Sequence, residues 1–421
     1  MVKYIICILF GTLSYSYAAE VPTHPLSFQE ALEEILSRST QVTQARDRLK
    51  AIQSRNLPSH LRFLPTLSVE AKEPLTGTES FLTVPRQVAF YGRLSLFKWG
   101  ADLSELRAAR SEVKSQEAAV NAIILEVEER GVIALIAEIQ KQDEILIHHK
   151  IVKSRTDNLR IGQERFEAGR LALQEVQVLQ IDLDNAAASY SNAQIQEMEA
   201  RAQLENLLGH TYISLEWPWK ETLIRTQGNS LLQKELVLET IPAWKSAEDQ
   251  THMEAQRLSQ SWRQLLPALD VYSTYGHFQG YFGSVSGWTA NLGVTFPLFD
   301  HLETYSRAAT QRSQLAISES RLEQVKRDAL ATWSYSRNSF KTIFESAQAR
   351  DRTVSLSRKV YNDNLKRFQQ ARASANDILI DINRLFVSEL NAIQGWGAAH
   401  QSFSRLCHSL GHQIKTCEIS L

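Results

Sequence analysis

Few residues of this 421-residue chain are of a type and spacing that could do chemistry. Cys407 and Cys417 are the only cysteines besides Cys7. If the chain is exported they can close one short disulfide loop; the alternative is two thiols in a frayed tail. His148 and His149 are adjacent, so on a helix they diverge by about 100° and miss the i, i+4 spacing of a metal pair. Glu126, Glu128 and Glu129 read as a polar helix face. The sequence has no glycine-rich phosphate loop, nucleophile elbow or metal-spaced Cys/His set. These residues predict no enzyme, no cofactor and no metal. Two further acids, Glu175 and Asp377, open helix-forming stretches, where the helix dipole by itself favours a carboxylate.

Those two acids also share a place in an internal repeat. Leu64-Pro65 recurs as Leu266-Pro267, Leu96-Phe97 as Leu298-Phe299, Arg165-Phe166 as Arg367-Phe368, and Leu208-Gly209 as Leu410-Gly411, every pair 202 residues apart. Arg170 with Arg372 and Glu175 with Asp377 keep the same offset. The implied organisation is a first repeat at 20–209, a linker at 210–239 carrying Trp217-Pro218-Trp219 and Gly228, a second repeat at 240–411, and a tail at 412–421.

Proline sorts each repeat into two textures. All ten prolines avoid 86–217 and 298–421, stretches rich in Ala, Glu, Gln, Leu and Arg that read as long helices. By contrast Leu67, Val69 and Ala71 alternate with polar neighbours, as do Leu269 and Val271, which is strand periodicity. Second strands are expected at Val88–Phe97 and Trp288–Phe299, giving hairpins over about 63–97 and 266–299 with turn-rich tips at Pro74-Leu75-Thr76-Gly77 and Gly276–Gly287. Each repeat therefore reads helix, hairpin, helix, helix.

The lengths require partners. Residues 101–167 offer a helix of roughly 100 Å, and the shorter helices at about 27–57 and 173–208 together match it; the second repeat has its long helix at about 301–369. The a/d-like spacing of Leu103, Leu106, Val113 and Val120 suits knobs-into-holes packing. Strands of about ten residues fit a membrane span. Four cannot close a barrel, the smallest of which has about 8, so several chains must contribute. The aromatic residues of the second hairpin, Tyr272, Tyr275, Phe278, Tyr281, Phe282 and Trp288, fit either a membrane–water interface or an ordinary sheet core.

Residues 1–19 read as a secretory signal peptide: Lys3, the apolar run Ile5–Leu13 and the small-x-small site Ser16-Tyr17-Ala18. That run is short of the roughly 20 residues of a membrane-spanning helix, and Cys7 is too early for a lipoprotein cleavage site. A formal charge of −1 gives no basic face for nucleic acid.

These features resemble the outer-membrane efflux proteins of the TolC type. The likeness rests on the opening Leu26-Ser27-Phe28-Gln29-Glu30-Ala31-Leu32, the Leu-Pro before each first strand, Pro297-Leu298-Phe299-Asp300 at the end of a strand, and the Leu-Gly closing each repeat. It spans nearly the whole mature chain. The resemblance implies a mainly α protein with membrane β structure, in which the duplicated repeat forms a trimeric 12-stranded β-barrel continued by a 12-helix α-barrel. It implies a homotrimer in outer-membrane lipid that extends into the periplasm. There it would act as a passive duct for a tripartite efflux or type I secretion system, with a periplasmic adaptor and an inner-membrane pump or ABC exporter as partners.

It further implies a periplasmic aperture at the helix tips, an aromatic residue followed three later by glycine and then an acid opening the next helix. The matching positions are Phe166, Gly169 and Glu175 in the first repeat and Phe368, Ala371 and Asp377 in the second. Ala371 stands where glycine is usual, Ala373 where an arginine is usual, and Ile380 where a second acid is usual, with Asp381 one place on; any latch would use Arg170 or Arg372. The competing reading is a periplasmic coiled-coil adaptor or structural protein that never enters a membrane.

Overall fold

A computed structural model describes residues 25–72, 86–216, 231–280, 283–296, 298–369 and 375–419. The leader, the first hairpin tip, Trp217-Pro218-Trp219, Gly228, Tyr281, Phe282, Pro297, Ala371, Arg372 and Ala373 lie outside these residues. The elements in order are β1 (Leu26–Ser27), α1 (Phe28–Arg38), α2 (Thr40–Leu61), β2 (Thr66–Lys72), β3 (Arg86–Phe97), α3 (Ala101–Glu167), α4 (Leu173–Leu208) and β4 (Leu215–Glu216). After a 3-10 turn at Leu238–Thr240 come α5 (Pro242–Arg263), β5 (Ala268–Gly280), β6 (Gly283–Thr295), α6 (Glu303–Gln369), α7 (Ala375–Ser409) and α8 (Ile414–Ile419). No described helix is long and apolar enough to cross a membrane.

The two long helices, α3 and α6, each run 67 residues. Three boundaries differ from the sequence expectation. The first helix is two, because the Ser39 hydroxyl accepts from the Val42 amide at 3.4 Å and starts α2 afresh. Strand β6 stops at Thr295, so Phe296 and Leu298–Asp300 are not strand; a proline has no amide to give a ladder. Gly276 is strand rather than turn, since β5 runs to Gly280 and β6 starts at Gly283.

Strand passes to helix through left-handed backbone in both halves. Trp99 and Gly100 have φ of 54° and 79°, and His301 and Leu302, the same two positions 202 residues on, have 55° and 63°. At the second corner the Asp300 carboxylate accepts from the Thr304 amide at 2.9 Å and from its hydroxyl, capping α6. The Thr304 hydroxyl and amide hold Asp300 below the usual carboxylate range, so it stays charged where the dipole favours a negative charge.

The chain packs as two units, Met1–Arg38 with Ile133–Lys220, and Ser39–Val132 with Glu221–Leu421. In the first, Ser27 and Glu30 form a capping box at the start of α1, with Ser27 N to Glu30 Oε2 at 3.1 Å and Glu30 N to Ser27 Oγ at 3.3 Å. Phe28, Ala31, Leu32 and Ile35 make its buried stripe, while Leu26 pairs with Leu215 in a short parallel bridge. Helix α4 buries Leu179, Ala186, Ala193 and Ala200. That heptad repeat is a coiled-coil seam of mostly small side chains.

In the second unit Glu112 of α3 ties three helices, accepting from Asn56 at 2.9 Å and from Arg55 on α2, and from Arg257 on α5 at 3.4 Å. Burial pushes Glu112 up, but the hydrogen bonds from Asn56 and Arg55 and the Arg257 charge hold it below the usual carboxylate range. An apolar cluster gathers Leu231, Phe340 of α6, and Phe403, Leu406, Cys407 and Leu410 from the end of α7. Phe340 lies 5.7 Å from Phe344 and 5.8 Å from Phe403, ring to ring, and full burial of such a side chain contributes about 1.5–3 kcal/mol.

Gly209 and Gly411 end α4 and α7 with φ of 77° and 80°. A Cβ at Gly209 would meet Arg38 Nη1 no closer than 3.7 Å, whereas at Gly411 it would lie 2.2 Å from the Thr240 carbonyl oxygen. Gly209→Ala should therefore cost about 1–2 kcal/mol, the left-handed penalty alone, and Gly411→Ala clearly more. Thermal midpoints followed by circular dichroism should fall in the order wild type, Gly209→Ala, Gly411→Ala; equal midpoints for the two variants would mean that the Thr240 contact yields freely.

Candidate functional site

The β-strands form one antiparallel sheet in the order β2-β3-β5-β6. Its registers decide which side chains share a face, because neighbours along a strand alternate. Leu67, Val69 and Ala71 pair with Gly92, Phe90 and Val88; these pair with Ser273, Tyr275 and His277, and these in turn with Ala290, Trp288 and Ser286. Leu94, Val271 and Leu292 complete the same face, as do Leu269 and Val294. The other face carries Thr66, Ser68, Glu70 and Lys72, then Ala89, Tyr91 and Arg93, Asp270, Tyr272 and Thr274, and Thr289, Asn291 and Thr295.

The apolar face lies exposed. Leu67 is 82% exposed, Trp288 73%, Val294 70% and Leu292 66%. Such a contiguous apolar patch is costly in water and is the outward face expected of a membrane strand. One row across the sheet, Val69-Phe90-Tyr275-Trp288, places three aromatic rings at one level. Beyond it the same face turns polar, with His277 Nδ1 2.7 Å from Ser286 Oγ. Six residues the other way along β6, roughly 20 Å at 3.4 Å each, lies Val294, followed by exposed Phe296 and Phe299. An apolar band between two aromatic rims is the pattern of a transmembrane barrel wall. Tyr275 and Trp288 share the exposed apolar face, whereas the register puts Tyr272 on the opposite one; the Phe278 side chain lies outside the described residues.

Two ion pairs carry the charge of the polar face. Arg93 Nη2 lies 3.0 Å from the fully buried Asp270 carboxylate and its guanidinium sits 5.2 Å from the Tyr272 ring centre. Lys72 and Glu70 pair at 2.6 Å. Among the described residues of that face each charge is answered by its opposite. The sheet's outer edges, on β2 and β6, have no strand beside them among the described residues.

The two helix tips differ. At the first, Gly169 has φ 68°, and the Arg170 amide reaches back to the Arg165 carbonyl at 2.8 Å while that of Gly169 bonds Phe166 at 2.9 Å, a Schellman ending for α3. Ala172 precedes α4 without a side-chain cap, and Glu175 lies exposed in its first turn. Phe166 is 40% exposed and Arg170 is exposed. At the second tip Phe368 lies in the last turn of α6, Ala371 and Arg372 fall outside the described residues, and Asp377 is exposed in the first turn of α7. Ile380 is also exposed, whereas Asp381 is buried against α6, accepting from Asn364 and, at 3.2 Å, from Arg384.

Asp381 is therefore a fastener between α6 and α7 and does not supply the second exposed acid beside Asp377. Among the described residues no group of three or more His, Cys, Asp and Glu could hold a metal. Asp381→Ala strands the Asn364 amide, a loss of about 1–3 kcal/mol. Hydrogen exchange should then quicken in the turns of α6 and α7 around Asn364 and Asp381, while an unchanged pattern would deny the fastening role.

No family model and no curated protein sequence matches the chain. Solved structures do. The outer membrane protein VceC of Vibrio cholerae superposes with a TM-score of 0.75 at 16% identity, covering 92% of this chain and 96% of VceC. The CmeC outer membrane channel of Campylobacter jejuni gives 0.72 at 15%, covering 94% and 89%. The open state of the Neisseria gonorrhoeae MtrE outer membrane channel gives 0.73 at 16%, covering 91% and 89%. Across nearly its whole length, this chain has the fold of the TolC-like outer-membrane channels.

Proposed function

We propose that this chain is one subunit of a homotrimeric outer-membrane export duct, a passive conduit and not an enzyme. Four strands from each of three copies close a 12-stranded barrel, and the helices continue it into the periplasm as a 12-helix barrel. The duct meets a periplasmic adaptor and an inner-membrane pump or ABC exporter, which supply the energy of tripartite efflux or type I secretion. The observation that carries this reading is the sheet with its apolar face outward, its polar face opposite and both edges open. In lipid every backbone donor needs a partner, so open edges demand closure by further copies. The likeness to outer membrane channels supports the same conclusion.

Within it, residues 1–19 are a cleaved signal, 20–209 and 240–411 two repeats, 210–239 an equatorial linker and 412–421 a tail. The aperture lies at the tips, with Asp377 and Glu175 as its acids, Phe368 and Phe166 as its aromatic residues, Arg372 and Arg170 as its basic residues, and Gly169 and Ala371 in its turns. The paired charges of the sheet's polar face favour an unselective barrel, so any preference for cations arises at the tips.

Face-swapped charges test the membrane reading. Leu292→Arg places a cation on the apolar face, at a cost of about 2–4 kcal/mol near the bilayer midplane, and should abolish recovery in the outer-membrane fraction. Asn291→Arg, one residue away on the polar face, should insert normally. Equal behaviour of the two, or wild-type protein in the soluble periplasmic fraction, favours the non-inserted coiled-coil adaptor or structural protein instead.

The aperture is tested in planar bilayers. Asp377→Ala should reduce cation preference, and Ile380→Asp, which restores an acid about one helical turn from Asp377, should raise it. A reversal potential unmoved by both would leave Asp377 as a helix cap only.

A further inference from the structure

The segment 412–419 is fastened to its unit in three ways. A disulfide joins Cys407, in the last turn of α7, to Cys417 in α8, with the two Cα atoms 6.4 Å apart. The Ile414 amide donates to Glu128 Oε1 at 3.0 Å. The buried side chains of Ile414 and Cys417 complete the attachment, and Cys417, 1% exposed, packs into the cluster of Leu231, Phe340, Phe403 and Leu406.

Glu128 gives the segment its importance. Its side chain is 2% exposed, and His408 Nε2 stands 3.4 Å from its other oxygen. A carboxylate so buried needs hydrogen-bond donors, and one of them belongs to α8. That helix has six residues, too few to persist without tertiary support. With the sulfur–sulfur bond open, α8 loses its covalent tie to α7. Its release would deprive Glu128 of a donor and withdraw Cys417 from the cluster of Leu231, Phe340 and Leu406, each no more than 1% exposed.

We propose that the segment 407–419 is an oxidation-dependent clasp, and that this chain is a client of an exported thiol–disulfide oxidase that acts before subunits associate. The proposal rests on the exported, oligomeric reading above. One client thiolate attacks the oxidase disulfide, releasing an oxidase thiolate and forming a mixed disulfide. The second client thiolate then attacks the client sulfur of that bond, closing Cys407–Cys417 and releasing the oxidase as a dithiol. Two electrons and two protons pass from client to oxidase. Before that step the cluster lacks Cys417 and is unfit for ordered assembly; afterwards it is complete.

The test uses the full chain carrying Cys7→Ser, expressed in cells with and without the exported oxidase. Cells are acid-quenched, free thiols are alkylated with a mass-adding maleimide, and monomer is separated from detergent-resistant oligomer. Oligomer should contain only unalkylated chain, and cells lacking the oxidase should show a several-fold loss of oligomer with doubly alkylated monomer accumulating. Oligomer with both thiols alkylated overturns the clasp. So does undiminished oligomer from Cys407→Ala/Cys417→Val, a variant that keeps the site apolar should the double serine variant fail to fold. If the chain is soluble and monomeric the duct fails, and the alkylation pattern still decides the clasp: folded chain with both thiols free refutes it.

Discussion

Everything in this chain answers to a sheet whose oily side is exposed. In a water-soluble sandwich the face bearing Leu67, Phe90, Trp288 and Leu292 would be the core, and here nothing among the described residues covers it. Lipid is the solvent that makes such a face stable, and it imposes a second demand, that no backbone donor be left open along β2 or β6. One chain meets the first demand and cannot meet the second. On the proposed reading, the need for further copies follows from hydrogen bonding before any interface is considered.

The helices obey a different economy. They bury stripes rather than faces, and α4 does it with Ala186, Ala193 and Ala200 at heptad spacing. Small side chains bring helix backbones close and leave few bulky groups to interlock. Rigidity is supplied by polar fasteners instead: Glu112 gathers Asn56, Arg55 and Arg257, and Asp381 joins Asn364 to Arg384.

Much of the architecture was legible because it is written locally. Proline-free stretches locate α3 and α4 almost to the residue, and period-2 alternation places Leu67, Val69 and Ala71 on one face. What escaped depends on single dihedrals or on packing. The division at Ser39 needs one hydroxyl to outbid a continuing helix. Tyr272 looked like its aromatic neighbours, yet registry puts it over Arg93 on the polar side. In the candidate site, Asp377 and Ile380 share the exposed side of α7, as the helical period allows. That Asp381 is spoken for by Asn364 requires the opposite helix to be in place. The disulfide was one of two readings of Cys407 and Cys417; the helix it encloses, α8, carried too few residues to leave a periodic signal.

The corners at Trp99-Gly100 and His301-Leu302 solve a problem of spacing. Adjacent strands lie about 4.8 Å apart, while packed helices need about 8–10 Å. Four strands and the four helices joined to them at one end of the sheet therefore cannot share a common pitch, and the polypeptide must step sideways where one becomes the other. A pair of left-handed residues turns the chain abruptly within two positions, directly ahead of the helix. Each outgoing helix is thereby geared to its strand, so a change in strand tilt would be transmitted to the helix as rotation.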